Sequence, residues 1–88
     1  MRWRVEFDAG AARELRALGR PDRLRVQRCL RDKLSPSEDP RRLGKPLSGD
    51  LAGLWRYRVG DIRIVASFEE EVLVVLVLRV AHRREVYD

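Results

Sequence analysis

The sequence predicts an α+β fold, with helices packed on one face of a mostly antiparallel sheet. Three observations predict it: an alternating apolar and charged segment at the N-terminus, two amphipathic helical segments after it, and three strand-like segments in the second half. The order is an N-terminal strand, a two-helix hairpin and a three-stranded antiparallel meander, so the second sheet face has no helical cover. At 88 residues, the chain is expected to be one domain spanning residues 1–88.

The N-terminal half contains the first strand and both helices. Residues 2–7 (RWRVEF) alternate between charged and apolar side chains, which predicts a half-buried strand. Asp8 is suited to cap the first helix, and Gly19 to end it. Pro21 fits the first turn of a second helix, because its missing N–H is not needed there. That helix is expected to run to about Leu34.

The second half begins with a long loop and continues as strands. Residues 35–53 hold three prolines and three glycines, a composition typical of a loop. Strands are predicted at about 54–59, 62–68 and 72–80. Because the last of these is apolar on both faces, we expect it in the middle of the sheet, covered on both sides.

Composition limits the class of partner and the compartment. The net charge is +5, and arginine supplies almost all of the basic residues. This bias favours a polyanionic partner, although a solvated charged surface is an equal alternative on composition alone. Cys29 is the only cysteine, which is typical of a reducing compartment. The longest apolar run, residues 72–78, is far shorter than the roughly 20 residues of a membrane helix. A soluble cytoplasmic protein without membrane contact is therefore expected.

A hairpin in the second half concentrates positive charge. Gly60-Asp61 predicts a two-residue type II′ turn, and counting outward from it places Arg58 opposite Arg63. Side chains alternate along a strand, so Arg56, Arg58 and Arg63 share the sheet face opposite the apolar side chains. This surface is the arginine face. Like charges directly opposite each other destabilise a sheet by up to roughly 1 kcal/mol, which favours a bound phosphate over a solvated strand.

The C-terminal stretch RVAHRREVYD adds further candidates. His82 is the only histidine and can transfer a proton near neutral pH. Tyr87 can stack on an RNA base or hydrogen-bond a phosphate. Each of them alone is more often structural. The sequence has no Gly-rich phosphate loop and no Cys/His metal spacing, so neither a cofactor nor a metal site is predicted.

Two linked motifs carry a family resemblance. LxGxxxxLWRYRVGDIRIV, starting at Leu47, and the following VLVLRVAHRREVYD resemble the RelE family of bacterial type II toxins, within the wider RelE/ParE group. The resemblance covers nearly the whole chain, and its specific part is residues 43–87. It implies a toxin that enters the ribosomal A site and cuts the mRNA codon there without a metal. The ribose 2′-hydroxyl would attack the adjacent phosphate, leaving a 2′,3′-cyclic phosphate and a 5′-hydroxyl.

The resemblance also implies partners. These are the ribosome with its mRNA and a RelB-like antitoxin, whose acidic amphipathic helix would cover the basic face. Operator DNA would be bound only through the antitoxin.

The family's site residues match positions in this chain. The first basic strand matches Arg56 and Arg58, and the arginine that stabilises the transition state matches Arg63. The late arginine matches Arg83 better than Arg84, and the C-terminal tyrosine matches Tyr87. The resemblance therefore implies a catalytic set of Arg56, Arg58, Arg63, Arg83 and Tyr87.

The proton-transfer group is left open by the residues. Some relatives carry lysines at the positions of Arg56 and Arg58, and arginine is effectively never deprotonated. Tyr87, His82 or a group of the RNA or ribosome remains as the base, and Tyr87 is our prediction. Family members also often have a tyrosine where this chain has Ala66 and Ser67. Two other functions compete with RNA cleavage: a ParE-like poison of DNA gyrase, and an inactive toxin fold that only binds its antitoxin.

Overall fold

Five strands form one sheet in a computed structural model that describes residues 2–83. The strands are β1 (Arg4–Phe7), β2 (Lys45–Pro46), β3 (Trp55–Val59), β4 (Ile62–Glu69) and β5 (Val74–His82). Their order across the sheet is β1-β5-β4-β3-β2. β1 runs parallel to β5, and every other neighbouring pair is antiparallel. The predicted α+β fold is confirmed, while β2 is an addition inside the segment predicted as a loop.

Two helices connect β1 to the rest of the sheet. These are α1 (Ala9–Ala17) and α2 (Arg20–Arg28), and α2 continues as a π-helical stretch, Cys29–Leu34. The Asp8 carboxylate accepts a hydrogen bond of 2.8 Å from the Ala11 N–H, which confirms the predicted cap. Within the described residues, no helix is long and apolar enough to cross a membrane.

The main core lies between the helices and one sheet face. Its buried side chains from the helical half are Trp3, Ala11, Leu15, Val26, Leu30 and Leu34. Those from the sheet are Tyr57, Ile62, Ile64, Ala66, Val75, Val77 and Val80. β5 lies between β1 and β4, so it is an inner strand, while the predicted middle position is occupied by β4. On the opposite face, a small cluster joins Val65 and Ala81 to Leu47 and Leu54.

A β-bulge interrupts the pairing of β4 with β5. Val65 pairs with Arg79 and Ala66 with Val77, so Leu78 is an extra residue on β5. The carboxylate of Glu14, on α1, accepts a 2.9 Å hydrogen bond from the Val80 N–H. The same carboxylate binds the Arg79 guanidinium, with 3.0 Å to Nη2. A side chain of α1 therefore satisfies the backbone where the strand is irregular.

The β3–β4 hairpin has the predicted register. Arg58 pairs with Arg63 and Val59 with Ile62, and Gly60 has a φ of +60°, as the first central residue of a type II′ turn requires. Arg63 has a further role, because its Nη1 donates 3.1 Å to the Gly60 carbonyl and 3.4 Å to that of Ile62. Arg63 thus stabilises the turn, whereas Arg58 is exposed.

The two facing arginines should differ in their effect on stability. We expect Arg58→Thr to leave the free energy of unfolding unchanged or to raise it by up to about 1 kcal/mol, because it removes repulsion. Arg63→Thr should lower it by about 1–3 kcal/mol, because the turn carbonyls lose their buried donor. Urea denaturation followed by circular dichroism measures both, with Arg4→Thr as the control for an exposed strand arginine. Equal losses of unfolding free energy in Arg58→Thr and Arg63→Thr would contradict a turn-stabilising role that belongs to Arg63 alone.

Candidate functional site

The arginine face gathers side chains from three adjacent strands. β3 contributes Arg56 and Arg58, and β4 contributes Arg63 directly opposite Arg58. β2 adds Lys45, which pairs with Arg56. Directly paired residues point to the same side of a sheet, so the four cations lie on the face opposite the helices. The predicted grouping of the three arginines matches the register, and Lys45 joins it unpredicted.

The face combines exposed and enclosed positive charge. Only 8% of Arg56 and 6% of Arg63 are exposed, whereas Arg58 and Lys45 are open to solvent. A cavity of about 170 Å³ lies between Arg56, Arg58 and Lys45, with Leu43 and Gly44 completing its wall. Charges that are partly removed from water attract an anion more strongly than fully hydrated charges do. The cavity can therefore hold a phosphate-sized group beside both kinds of charge.

Carboxylates accompany many of the arginines elsewhere in the molecule. The close pairs include Arg4 with Glu6 at 2.8 Å, Arg31 with Asp32 at 2.8 Å, Arg41 with Asp39 at 2.9 Å and Arg79 with Glu14 at 3.0 Å. Within residues 2–83, no carboxylate forms an ion pair with Arg58 or Lys45. Among the described residues, this part of the face is therefore not neutralised by an acidic side chain.

His82 is separated from the arginine face. It pairs with Ile62, which is fully buried on the helix side of the sheet. It lines a cavity of about 220 Å³ with Glu14, Leu18 and Gly19 of the helical layer. The structure therefore does not bring His82 together with the three arginines.

The remaining predicted residues lie at or beyond the end of β5. The backbone N–H of Arg83 donates a 2.9 Å hydrogen bond to the carbonyl of Asp61, in the hairpin turn, and Arg83 is exposed. Arg84 and Tyr87 lie outside the described residues. Arg83 is thus next to the turn that begins β4, the strand of Arg63.

Two other side chains could be mistaken for reactive groups. Tyr57 points into the core, and burial raises the pKa of its phenol well above the usual range. Burial also raises the pKa of the Cys29 thiol. Both changes keep these side chains protonated at neutral pH. Among residues 2–83, no three His, Cys, Asp or Glu side chains are grouped as metal ligands would be.

Lys45 is the residue of this face that the sequence pattern missed. It lies in a segment rich in Pro and Gly, and a two-residue strand has no alternation by which it could be recognised. The available signal was the GKPL stretch, residues 44–47, in which a lysine precedes a proline near the end of a loop.

Comparison with known proteins identifies the family. Residues 5–87 match the family model described as the ParE toxin of the type II toxin–antitoxin system parDE. The toxin RelE of Mycobacterium tuberculosis is 35% identical over 86 residues, which are 97% of this chain and 86% of that protein. The toxin RelG of the same organism is 41% identical over 51 residues, which are 58% of this chain and 59% of RelG.

A solved structure has the same fold. It is from the toxin–antitoxin complex RelBE2 of M. tuberculosis, and the matching chain is 34% identical with a TM-score of 0.85. The match covers 94% of this chain and all of the other. Together with the family model, these similarities assign the chain to the RelE/ParE group, and it is a RelE-family toxin of a type II toxin–antitoxin system.

Proposed function

We propose that this toxin is a ribosome-dependent, metal-independent mRNA endonuclease that cuts the codon in the A site and is neutralised by a cognate antitoxin. One observation carries the proposal: Arg58 and Lys45 lie beside two enclosed arginines, and no carboxylate of residues 2–83 forms an ion pair with Arg58 or Lys45. A cationic surface of this kind is suited to a phosphodiester, and RelE-family membership supplies the reaction class.

The arginines would stabilise the charge that develops on the phosphate. As the 2′-oxygen attacks phosphorus, negative charge grows on the non-bridging oxygens, and preorganised donors stabilise this state more than the ground state. Arg63 and Arg56 are held in place by their burial, whereas Arg58 is exposed and adjacent. Arg83, next to the hairpin turn, would extend the site toward the neighbouring phosphate.

The base that activates the 2′-hydroxyl is proposed to be Tyr87. Neighbouring guanidinium groups favour the phenolate form of a tyrosine, and an aromatic ring can also stack on the codon. His82 is disfavoured in this role, because it lies on the helix side of the sheet.

A poison of DNA gyrase is the second candidate, because the matching family model is described as a ParE toxin. Such a toxin would use the arginine face to bind its protein target and would leave mRNA intact. A toxin fold that binds only its antitoxin would leave both mRNA and DNA intact.

Cleavage is tested by inducing the toxin in a bacterial host and mapping a reporter mRNA by primer extension. We expect cuts within translated codons and arrested growth. Arg58→Thr should reduce cleavage by about 100-fold, the scale for one electrostatic donor. Arg4→Thr removes the same charge from β1, at the opposite edge of the sheet, and should cut normally. Arrested growth with intact mRNA and broken DNA would favour the gyrase reading, and the absence of both would favour the inactive fold.

Single-turnover cleavage on programmed ribosomes tests the base. Tyr87→Phe keeps the ring and removes only the hydroxyl, so we expect a loss of about 100-fold or more. His82→Gln should have a smaller effect, because His82 faces the helical layer. Normal cleavage by Tyr87→Phe with a large loss in His82→Gln would reverse the assignment.

The proposed antitoxin is RelB-like, with an acidic amphipathic helix that covers the arginine face and binds operator DNA itself. Charge complementarity makes this surface the most direct target for neutralisation. Co-expression with the neighbouring open reading frame should restore growth and yield a co-purifying complex. Arg58→Glu should weaken that complex, whereas Arg4→Glu should not. A harmless toxin that purifies alone at full yield would count against the antitoxin.

A further inference from the structure

One large apolar side chain is exposed beside the arginine face. Leu43 is 53% exposed, and it lines the 170 Å³ cavity together with Arg56, Arg58 and Lys45. A single exposed leucine is common on protein surfaces and needs no explanation by itself. Its location is informative, because an apolar wall does nothing for the charge of a phosphate in this cavity. It can instead contact an apolar group that is attached to the phosphate.

The other exposed large hydrophobic side chains lie far from this cavity. Among residues 2–83 they are Val72 and Leu73, in the turn between β4 and β5. Arg63 is near the start of β4, and Glu69 ends that strand just before the turn. At about 3.3 Å per residue, the six steps between these two residues separate the turn from the arginine face by roughly 20 Å.

No aromatic side chain of the described residues lines the cavity. Five of the six aromatic residues lie within residues 2–83, and all of them are in the main core or packed against it: Trp3, Phe7, Trp55, Tyr57 and Phe68. On the arginine face itself, Val65 and Ala81 are buried, and Leu47 and Leu54 pack against them. Leu43 is therefore the one apolar side chain of residues 2–83 that a ligand in the cavity would meet.

The backbone that carries Leu43 is fixed on both sides. Leu43 ends a short 3₁₀ helix, Pro40–Leu43, and the Tyr57 hydroxyl donates a 2.8 Å hydrogen bond to the carbonyl of the buried Pro40. The next residue, Gly44, lies so close to β3 that a Cβ on it would be 2.7 Å from the Tyr57 ring, an approach that only glycine allows. Leu43 is thus held at the cavity before any ligand binds, which lowers the entropy cost of a contact.

We propose that Leu43 packs against a nucleobase next to the scissile phosphate and contributes to codon selection; this rests on the proposed function. With the phosphate between Arg56, Arg58 and Lys45, the attached nucleoside lies at the mouth of the cavity, where the exposed leucine covers the face of its ring. Proteins hold unstacked bases by packing apolar and aromatic side chains on their ring faces. A purine offers a larger ring face than a pyrimidine, so this contact favours a purine at that position.

The test compares wild-type toxin with Leu43→Ala on programmed ribosomes, at toxin concentrations far below saturation. Three mRNAs differ only at one nucleotide flanking the mapped cleavage position, which carries a purine, a pyrimidine or no base, while its ribose keeps the 2′-hydroxyl. Both flanking nucleotides are varied in turn. At one of them, we expect Leu43→Ala to cut the purine mRNA about 10-fold more slowly, within the range for one contact to a base. The loss should be smaller with the pyrimidine and absent without a base.

Two further variants serve as controls. Leu43→Met keeps the apolar volume and should cut the purine mRNA at nearly the wild-type rate. Val72→Ala shortens an even more exposed apolar side chain in the distant turn and should match wild type on all three mRNAs. The ratio of rates among the three mRNAs does not depend on the fraction of toxin that is folded, so a loss of stability in Leu43→Ala would not change the result.

Three outcomes would overturn the role of Leu43. An equal loss on all three mRNAs at both positions would mean that the defect does not involve a base. Wild-type cleavage of every mRNA by Leu43→Ala would remove the contact from the reaction, and a simultaneous failure to co-purify with the antitoxin would assign Leu43 to the protein interface. Both of these outcomes leave the proposed endonuclease intact. A wild-type toxin that cuts none of the mRNAs overturns the proposed function and the role of Leu43 with it.

Discussion

The bond between the Glu14 carboxylate and the bulged part of β5 fixes which side chains reach the arginine face. Val75 and Val77 point into the core, and strict alternation would continue with Arg79 and Ala81. The extra residue, Leu78, shifts this alternation by one position, so Val80 is buried in the core instead. Glu14 stabilises the bulge, because its carboxylate accepts a hydrogen bond from the Val80 N–H and forms an ion pair with Arg79.

The consequence of the bulge appears at the end of the strand. Ala81 now pairs with Arg63 on the arginine face, while His82 pairs with Ile62 on the helix side. Without the bulge, these two residues would exchange sides, and the imidazole would lie among the arginines. The shift also lets the Arg83 N–H reach the carbonyl of Asp61 in the hairpin turn. One irregular residue thus decides which of two neighbouring side chains lies on the arginine face.

The hairpin could be predicted from the sequence, whereas the bulge could not. The Gly60-Asp61 turn fixes the register between Arg58 and Arg63, because a two-residue turn leaves only one way to count outward. The bulge has no such marker: VLVVLVL is apolar at every position, so its two faces cannot be told apart by pattern. Lys45 was missed for a related reason, since its place depends on the close packing of Gly44 against Tyr57, a contact between distant parts of the chain.

The arginine face shows how the fold tolerates charges that repel one another. Arg63 is enclosed but donates to two carbonyl groups in and beside the turn, so its guanidinium stabilises the hairpin. An apolar cluster lies on the same face of the sheet and consists of Val65, Ala81, Leu47 and Leu54. Arg58 and Lys45, in contrast, are exposed to solvent, where water and salt screen their charges. The face therefore combines two enclosed guanidinium groups with an exposed guanidinium and an exposed ammonium.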